Sequence, residues 1–361
     1  MTKRERVLTA MNRQQPDRVP KAAGFTPDVQ KAFEAATGQT NAGAYFDYDV
    51  AGAGFAGSGV AVDWSEWYDC AHPEGTTYSE YGTAHIPGSF HHFWRLDFPM
   101  DGVDNVKRME EFPWPDYTPA ARHEHLEASV RQQHEDGWYV QGGVGHIWEN
   151  AWQVVSMEKL MMDFVMNPDQ AAYVLDRITE DRLFQARRYA QADVDCLLCG
   201  DDVAMQHAMM MSPTMWREWL KPRWRRVWAA AREIKPDIQI WYHSDGNVEA
   251  IIPDLIEIGM TILNPVQPEC MDPEKLKLQY GDQIAFWGCV GTQTNFPFGT
   301  SQEMKQTVKS LIETVGKDGG LFLAPTHVLE PDVPWDNIVA FFEAVEEYGS
   351  YERGSSSRDN G

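Results

Sequence analysis

The stretch IQIWYHSDGNVEAIIPDLIEIGMTILNP, residues 238–265, decides the fold. Residues 238–243 form a short run that is apolar or aromatic on both faces, as a strand buried in a parallel sheet is. The run breaks at Gly246. Residues 248–258 then carry apolar side chains at helical spacing, and 261–265 is a second apolar run. Strand, helix and strand in that order predict a βαβ crossover between parallel strands.

The same rhythm extends in both directions. Further strands are expected at 138–142, 196–200, 284–288 and 321–325, with helices over 168–190, 215–234 and 301–315. A doubly wound open sheet would show this alternation too, but no GxGxxG or P-loop opens any helix. The reading is therefore an α/β chain, a (β/α)₈ TIM barrel with an N-terminal extension, for which 361 residues is an ordinary length. Residues 2–13 read as an amphipathic helix: Thr2 and Glu5 have capping-box spacing, and Val7, Leu8 and Met11 form one apolar stripe. Residues 21–125 are irregular and read as an extension plus the first barrel units. A single domain over 1–350 and a polar tail over 351–361 are expected.

Composition narrows the functional classes. Hydrophobic residues make up 43%, enough for a large core, which excludes disorder for the bulk of the chain. The net charge of −23 sets aside nucleic acid and anionic membrane as partners. Five scattered cysteines give no disulfide framework. No run approaches the roughly 20 apolar residues of a membrane span, and the opening residues lack the apolar stretch of a signal peptide. A cytoplasmic location is the expectation.

In a barrel of this type reactive groups sit just after the strands. Every expected strand in the second half ends in polar, ligand-capable residues, and buried polar groups are costly unless paired or used. His243, Asp245 and His327 offer two imidazoles and a carboxylate, a set that suits zinc and equally iron, manganese or cobalt. Histidines that only bond loop carbonyls are the alternative. Cys289, one residue past Gly288, reads either as a fourth ligand or as a small buried hydrophobe. Of Asp201 and Asp202, adjacent and so opposed on a strand, Asp202 is assigned to the pocket and Asp201 to the cap of the next helix. Glu149 and His146 are candidates for proton handling. Gln293, Trp148, Gln267 and His207 are candidates for substrate contact. The Cys196-x-x-Cys199 pair lies in an expected strand with no second pair, and reads as packing.

Several stretches resemble the uroporphyrinogen-decarboxylase-like superfamily: RERVLTAMNRQQPDRVP (4–20), GDDVAMQ (200–206), SPTMWREWLKPRWRRV (212–227), YHSDGNVEAIIPDLIEIGMTILNPVQ (242–267), YGDQIAFWGCVGTQ (280–293) and LAPTHVLEPDVPWDN (323–337). That superfamily divides into porphyrinogen decarboxylases and zinc-dependent corrinoid methyltransferases. The decarboxylases carry an arginine-bearing loop soon after the first helix; here the matching stretch, VPKAAGFTPDVQKAF (19–33), has none. The methyltransferases hold zinc through a His-x-Cys pair and a later Cys. At the matching positions stand His243, Asp245 and His327, a harder donor set than two thiolates.

The resemblance implies a metal-dependent methyltransferase or demethylase component. It would move a methyl group between a small methylated substrate or a corrinoid and an acceptor. Zinc or another divalent metal is the implied cofactor, with a corrinoid carried on a partner protein. A decarboxylase or other lyase of a small carboxylate is the alternative; it needs a cationic clamp, and basic residues are sparse at the strand ends. A cofactor-binding protein without turnover is the third reading. A homodimer is left open.

Overall fold

The computed structural model describes residues 1–88 and 94–351. Among the described residues ten strands are formed: β1 (Val50–Ala53), β2 (Thr77–Tyr78), β3 (Ala84–Pro87), β4 (Trp94–Asp97), β5 (Tyr139–Gly145), β6 (Cys196–Gly200), β7 (Gln239–His243), β8 (Ile262–Asn264), β9 (Ala285–Val290) and β10 (Leu321–Pro325). Seven of them lie side by side in the order β1-β5-β6-β7-β8-β9-β10, each pair parallel. Residues 20–22 fill the gap between the two edges. The Leu323 N–H donates to the Pro20 carbonyl (2.9 Å), the Ala22 N–H to the Leu323 carbonyl (3.3 Å) and the Asp49 N–H to the Lys21 carbonyl (3.1 Å). With that segment as an eighth staves the sheet closes on itself, which removes the exposed edges of an open sheet. The structure is the expected (β/α)₈ barrel.

Two expected strands, at 196–200 and 321–325, have the expected bounds, and the other four shift by one to three residues. The helix expected over 215–234 is two helices, Pro213–Trp219 and Lys221–Arg232. Pro222 in the first turn of the second has no N–H to continue the ladder of the first. The polar tail expected at 351–361 lies, beyond Tyr351, outside the described residues. Among the described residues no helix is long and apolar enough to cross a membrane.

The barrel interior is packed by Tyr139, Cys196, Ile262, Ala285, Trp287, Phe322 and Ala324, together with Val7, Ala10 and Met11 of the first helix. That helix, Lys3–Met11, has the expected capping box between Thr2 and Glu5. It is tied to the N-terminal ends of two strands, where the Arg4 N–H donates to the Gly137 carbonyl (2.8 Å) and the Gly320 N–H to the Ala10 carbonyl (2.9 Å). It therefore stoppers that end, and the C-terminal strand ends are left as the open mouth. Cys196 faces inward while Cys199 faces the outer core, where Trp228 Nε1 donates to its sulfur (3.2 Å). All five cysteines are free. The small antiparallel sheet β2-β3-β4 belongs to the long excursion that follows β1. This excursion leans on the helix Trp148–Val155, through Thr83 Oγ1 to the Gln153 carbonyl (2.8 Å) and the Met100 N–H to the Val154 carbonyl (2.9 Å).

Closure is locked by one buried carboxylate. Asp49, fully enclosed, accepts from Arg6 Nη1 (2.7 Å), Arg18 Nη1 (2.8 Å) and the Lys21 N–H (2.9 Å). Removing one partner of a buried ion pair leaves the other charges uncompensated, which typically costs about 3–5 kcal/mol. Asp49→Ala is expected to lower the unfolding free energy by about that amount in urea denaturation. A loss below about 1 kcal/mol, the range of a surface pair, would show that closure does not depend on this network.

Candidate active site at the barrel mouth

The ends of β5, β6 and β7 lie next to one another, and Gly200 sets how closely. It is paired in register with His243, and a Cβ there would lie 2.1 Å from the His243 carbonyl oxygen. Only glycine lets the two strands meet so tightly that Asp201 and Asp202 adjoin His243 and Asp245.

Asp201 has no exposed surface. Its Oδ1 accepts from the backbone N–H groups of Ile147 (2.8 Å) and Trp148 (2.7 Å), and its Oδ2 from Trp224 Nε1 (2.7 Å). It caps the preceding helix, Trp148–Val155, and not the following one as expected. Burial, with the nearby charge of Glu149, pushes its carboxyl up to about 8. Because Asp201 points out to the helix layer, the next side chain, Asp202, points to the mouth.

Two polar groups result. In the first, Glu149 Oε2 accepts the Asp202 N–H (2.9 Å) and lies 2.9 Å from His146 Nδ1, which is also 2.8 Å from the Gly200 carbonyl. Burial disfavours the charged imidazole, but Glu149 and then Asp201 outweigh it and push His146 up to about 9. Here Nδ1 is a donor to a carbonyl and a carboxylate, and Asp201 is already held by three N–H groups. The group is an acid–base pair rather than a metal cage.

The second group differs in kind. His243 Nε2 is 3.4 Å from Asp202 Oδ1 and 3.9 Å from Asp245 Oδ1, and the Asp245 N–H donates to the same Asp202 oxygen (2.7 Å). Asp245 Oδ1 is buried and receives no hydrogen bond. His243 Nδ1 is 2.6 Å from Asn264 Oδ1, and its ring stacks on Trp241 (centroids 5.6 Å apart, planes 10° off parallel). Burial and the charges of Asp202 and Glu149 push the Asp245 carboxyl up, while His243 and His327 pull it down. One imidazole and two carboxylates, with ligand atoms mutually within 4.8 Å, fit a divalent cation.

The structure thus brings together His243, Asp245, Asp202, Glu149 and His146 of the residues expected from the sequence. His327 is exposed after β10, close enough for its charge to act on Asp245 but outside the group of three. Cys289 is not past the strand end: β9 runs on to Val290, and Cys289 is buried within it. Burial pushes its thiol up to about 12, so it fits the hydrophobe reading and not that of a thiolate ligand. Trp148 is fully buried and stacks on Phe164 (5.9 Å), so it is core and not substrate contact. Gln267 is also buried, and its Oε1 accepts the Gly246 N–H (2.7 Å) at the turn after β7. His207 and Gln293 are exposed in the loops after β6 and β9. The sequence reading missed Asn264. Its one signal was a polar side chain closing an otherwise apolar strand.

Residues 103–348 match the family model described as uroporphyrinogen decarboxylase (URO-D). Among solved structures, a methyltransferase from Methanosarcina mazei superposes with a TM-score of 0.65 at 21% identity, over 96% of this chain and 99% of that one. At that identity the likeness shows the fold alone. A B12-independent methionine synthase from Shewanella sp. W3-18-1 gives a TM-score of 0.42 at 11% identity, over 62% of this chain and 64% of that one, and bears on nothing further. No curated protein matches the chain.

The His146–Glu149 pair has a testable signature. The His146 pKa is raised to about 9 from an unfolded value of about 6.5. Its stabilising contribution is therefore fully present below about pH 6.5 and lost as pH rises through about 9. Glu149→Gln should remove it. The stability gap between wild type and variant should be level in acid and shrink between those two pH values, with the His146 ring protons titrating at lower pH in the variant. An unchanged His146 titration in Glu149→Gln would contradict the pairing.

Proposed function

This chain belongs to the uroporphyrinogen decarboxylase (URO-D) family, and we propose that within it the protein is a metal-dependent methyltransferase or demethylase component. One observation carries the reading: His243 Nε2, Asp202 Oδ1 and Asp245 Oδ1 converge, and the buried Asp245 oxygen has no donor. Three acceptors facing one another repel unless a cation sits among them.

His243, Asp245 and Asp202 would hold a divalent metal, zinc or a harder ion such as iron or manganese, with His327 as a further ligand from across the mouth. When bound, the ion supplies a Lewis acid for the heteroatom that gives or takes the methyl group. The chain's own groups do the rest. Glu149 braces Asp202 through its backbone N–H and keeps His146 protonated to about pH 9, as an acid at the edge of the mouth. Trp241 forms an aromatic wall beside His243. Gln293 and His207 are placed on loops that can contact a small substrate, and a corrinoid protein is the proposed methyl-carrying partner at the same face.

Decarboxylation of a small carboxylate is disfavoured by where the cations lie. Lys21, in the stretch where the decarboxylases carry arginine, is turned outward, buried and paired with Glu346. Arg182, behind His146, donates to the His146 carbonyl (2.9 Å), Gln185 (2.8 Å) and Asn150 (2.6 Å). Neither offers a free guanidinium or ammonium to a substrate carboxylate.

Protein purified without chelator is expected to carry about one divalent ion per chain, as a single site of this type binds. His243→Ala and Asp245→Asn should each weaken binding by about 100-fold or more, beyond the 10–100-fold typical of residues behind the ligands; methyl transfer from a corrinoid or methylated donor should be lost in parallel. His327→Ala reports whether that side chain completes the site. A metal-free wild type that releases CO₂ from a small carboxylate would replace this reading with the lyase.

A further inference from the structure

Asn264 closes β8 and is nearly buried. Its Nδ2 donates to the Trp287 carbonyl on β9 (3.0 Å), while its Oδ1 lies 2.6 Å from His243 Nδ1 on β7. The amide thus spans three adjacent strands, and the two contacts are not interchangeable. Turned over, Asn264 would set its oxygen against the Trp287 carbonyl oxygen, two acceptors at hydrogen-bond distance among buried groups. The penalty for an unsatisfied buried carbonyl falls on the reversed form only.

We propose that Asn264 is the positioning residue that fixes His243 in its Nδ1–H tautomer and thereby delivers the Nε2 lone pair to the mouth. The inference rests on the metal reading for its purpose, but not for its physics. With Oδ1 as the only Asn264 atom facing the imidazole, Nδ1 must be the donor. In the neutral imidazole Nε2 is then left as the acceptor towards Asp202 and Asp245, the form a metal requires. Trp241, parallel to the ring, restricts its rotation, so one neighbour sets the plane and the other the proton. Without Asn264 the favoured tautomer reverses: a proton on Nε2 gains Asp202 Oδ1 at 3.4 Å as an acceptor and occupies the metal's place.

The test uses full-length protein with ¹⁵N-labelled histidine, stripped with chelator, at alkaline pH. The two ring nitrogens of His243, identified with His243→Ala, report the tautomer without any metal. Wild type is expected to show Nδ1–H, and Asn264→Ala and the near-isosteric Asn264→Leu, both of which remove the acceptor, a shift to Nε2–H. Metal affinity, read by competition with a chelating dye, should fall about 10–100-fold in both variants. An unchanged tautomer in either variant while the circular dichroism stays native overturns the proposal. If wild type shows Nδ1–H but binds no metal, the metal reading fails and the role of Asn264 in tautomer selection stands.

Discussion

A carboxyl group kept wholly out of water must be surrounded by hydrogen-bond partners, and the site is organised around meeting that requirement at Asp201. Two backbone N–H groups of the β5 loop and the Trp224 indole hold it. These bonds join the end of β6 to the start of the helix after β5 and to the helix Lys221–Arg232. Because neighbours on an extended chain alternate in direction, anchoring Asp201 against the outer helices obliges Asp202 to face the mouth. Glu149, His243 and Asp245 are then placed relative to a fixed point. Glycine at position 200 is the second half of the same constraint, since any side chain there would collide with the His243 backbone.

Electrostatics of opposite sense meet a few ångströms apart. On the β5 side, Glu149 faces a protonated His146 and the pair satisfies itself. On the β7 side, Asp202 and Asp245 face an imidazole held so that its lone pair, not its proton, points at them. Like groups brought together in a partly buried place are stable only with a compensating charge. The site is therefore polarised into a region that holds a proton and a region that calls for a cation. Metal-assisted transfer to or from a heteroatom uses that division.

Much of this was legible in the sequence where the chain is regular. The second half of the barrel declares itself because its strands are buried on both faces, so runs such as 196–200 and 321–325 stand out from the helices between them. The first two staves do not: residues 20–22 and Val50–Ala53 are built from proline, lysine, alanine, glycine and one valine and have no long apolar run to read. They take their places because β5 and β10 offer them partners. At the site, His243 and Asp245 were visible as polar residues where a strand breaks. Cys289 misled because β9 runs two residues beyond its expected end, which moves the thiol from the mouth into the packed wall. Trp148 and Gln267 misled for a related reason, as both follow strands but turn back into the protein to hold its loops. Asn264 stayed hidden because its role depends on β7 and β9 together, and no local pattern carries a contact between three strands.

The central claim is that His243, Asp202 and Asp245 surround a metal ion. Crystals of protein never exposed to chelator, measured above and below the absorption edge of the metal found in solution, test it most directly. The account predicts one anomalous peak at about 2.0–2.2 Å from His243 Nε2 and from an oxygen of each carboxylate. A map with no such peak, and with His243 Nε2 hydrogen-bonded directly to Asp202 as a plain ion pair, would contradict it.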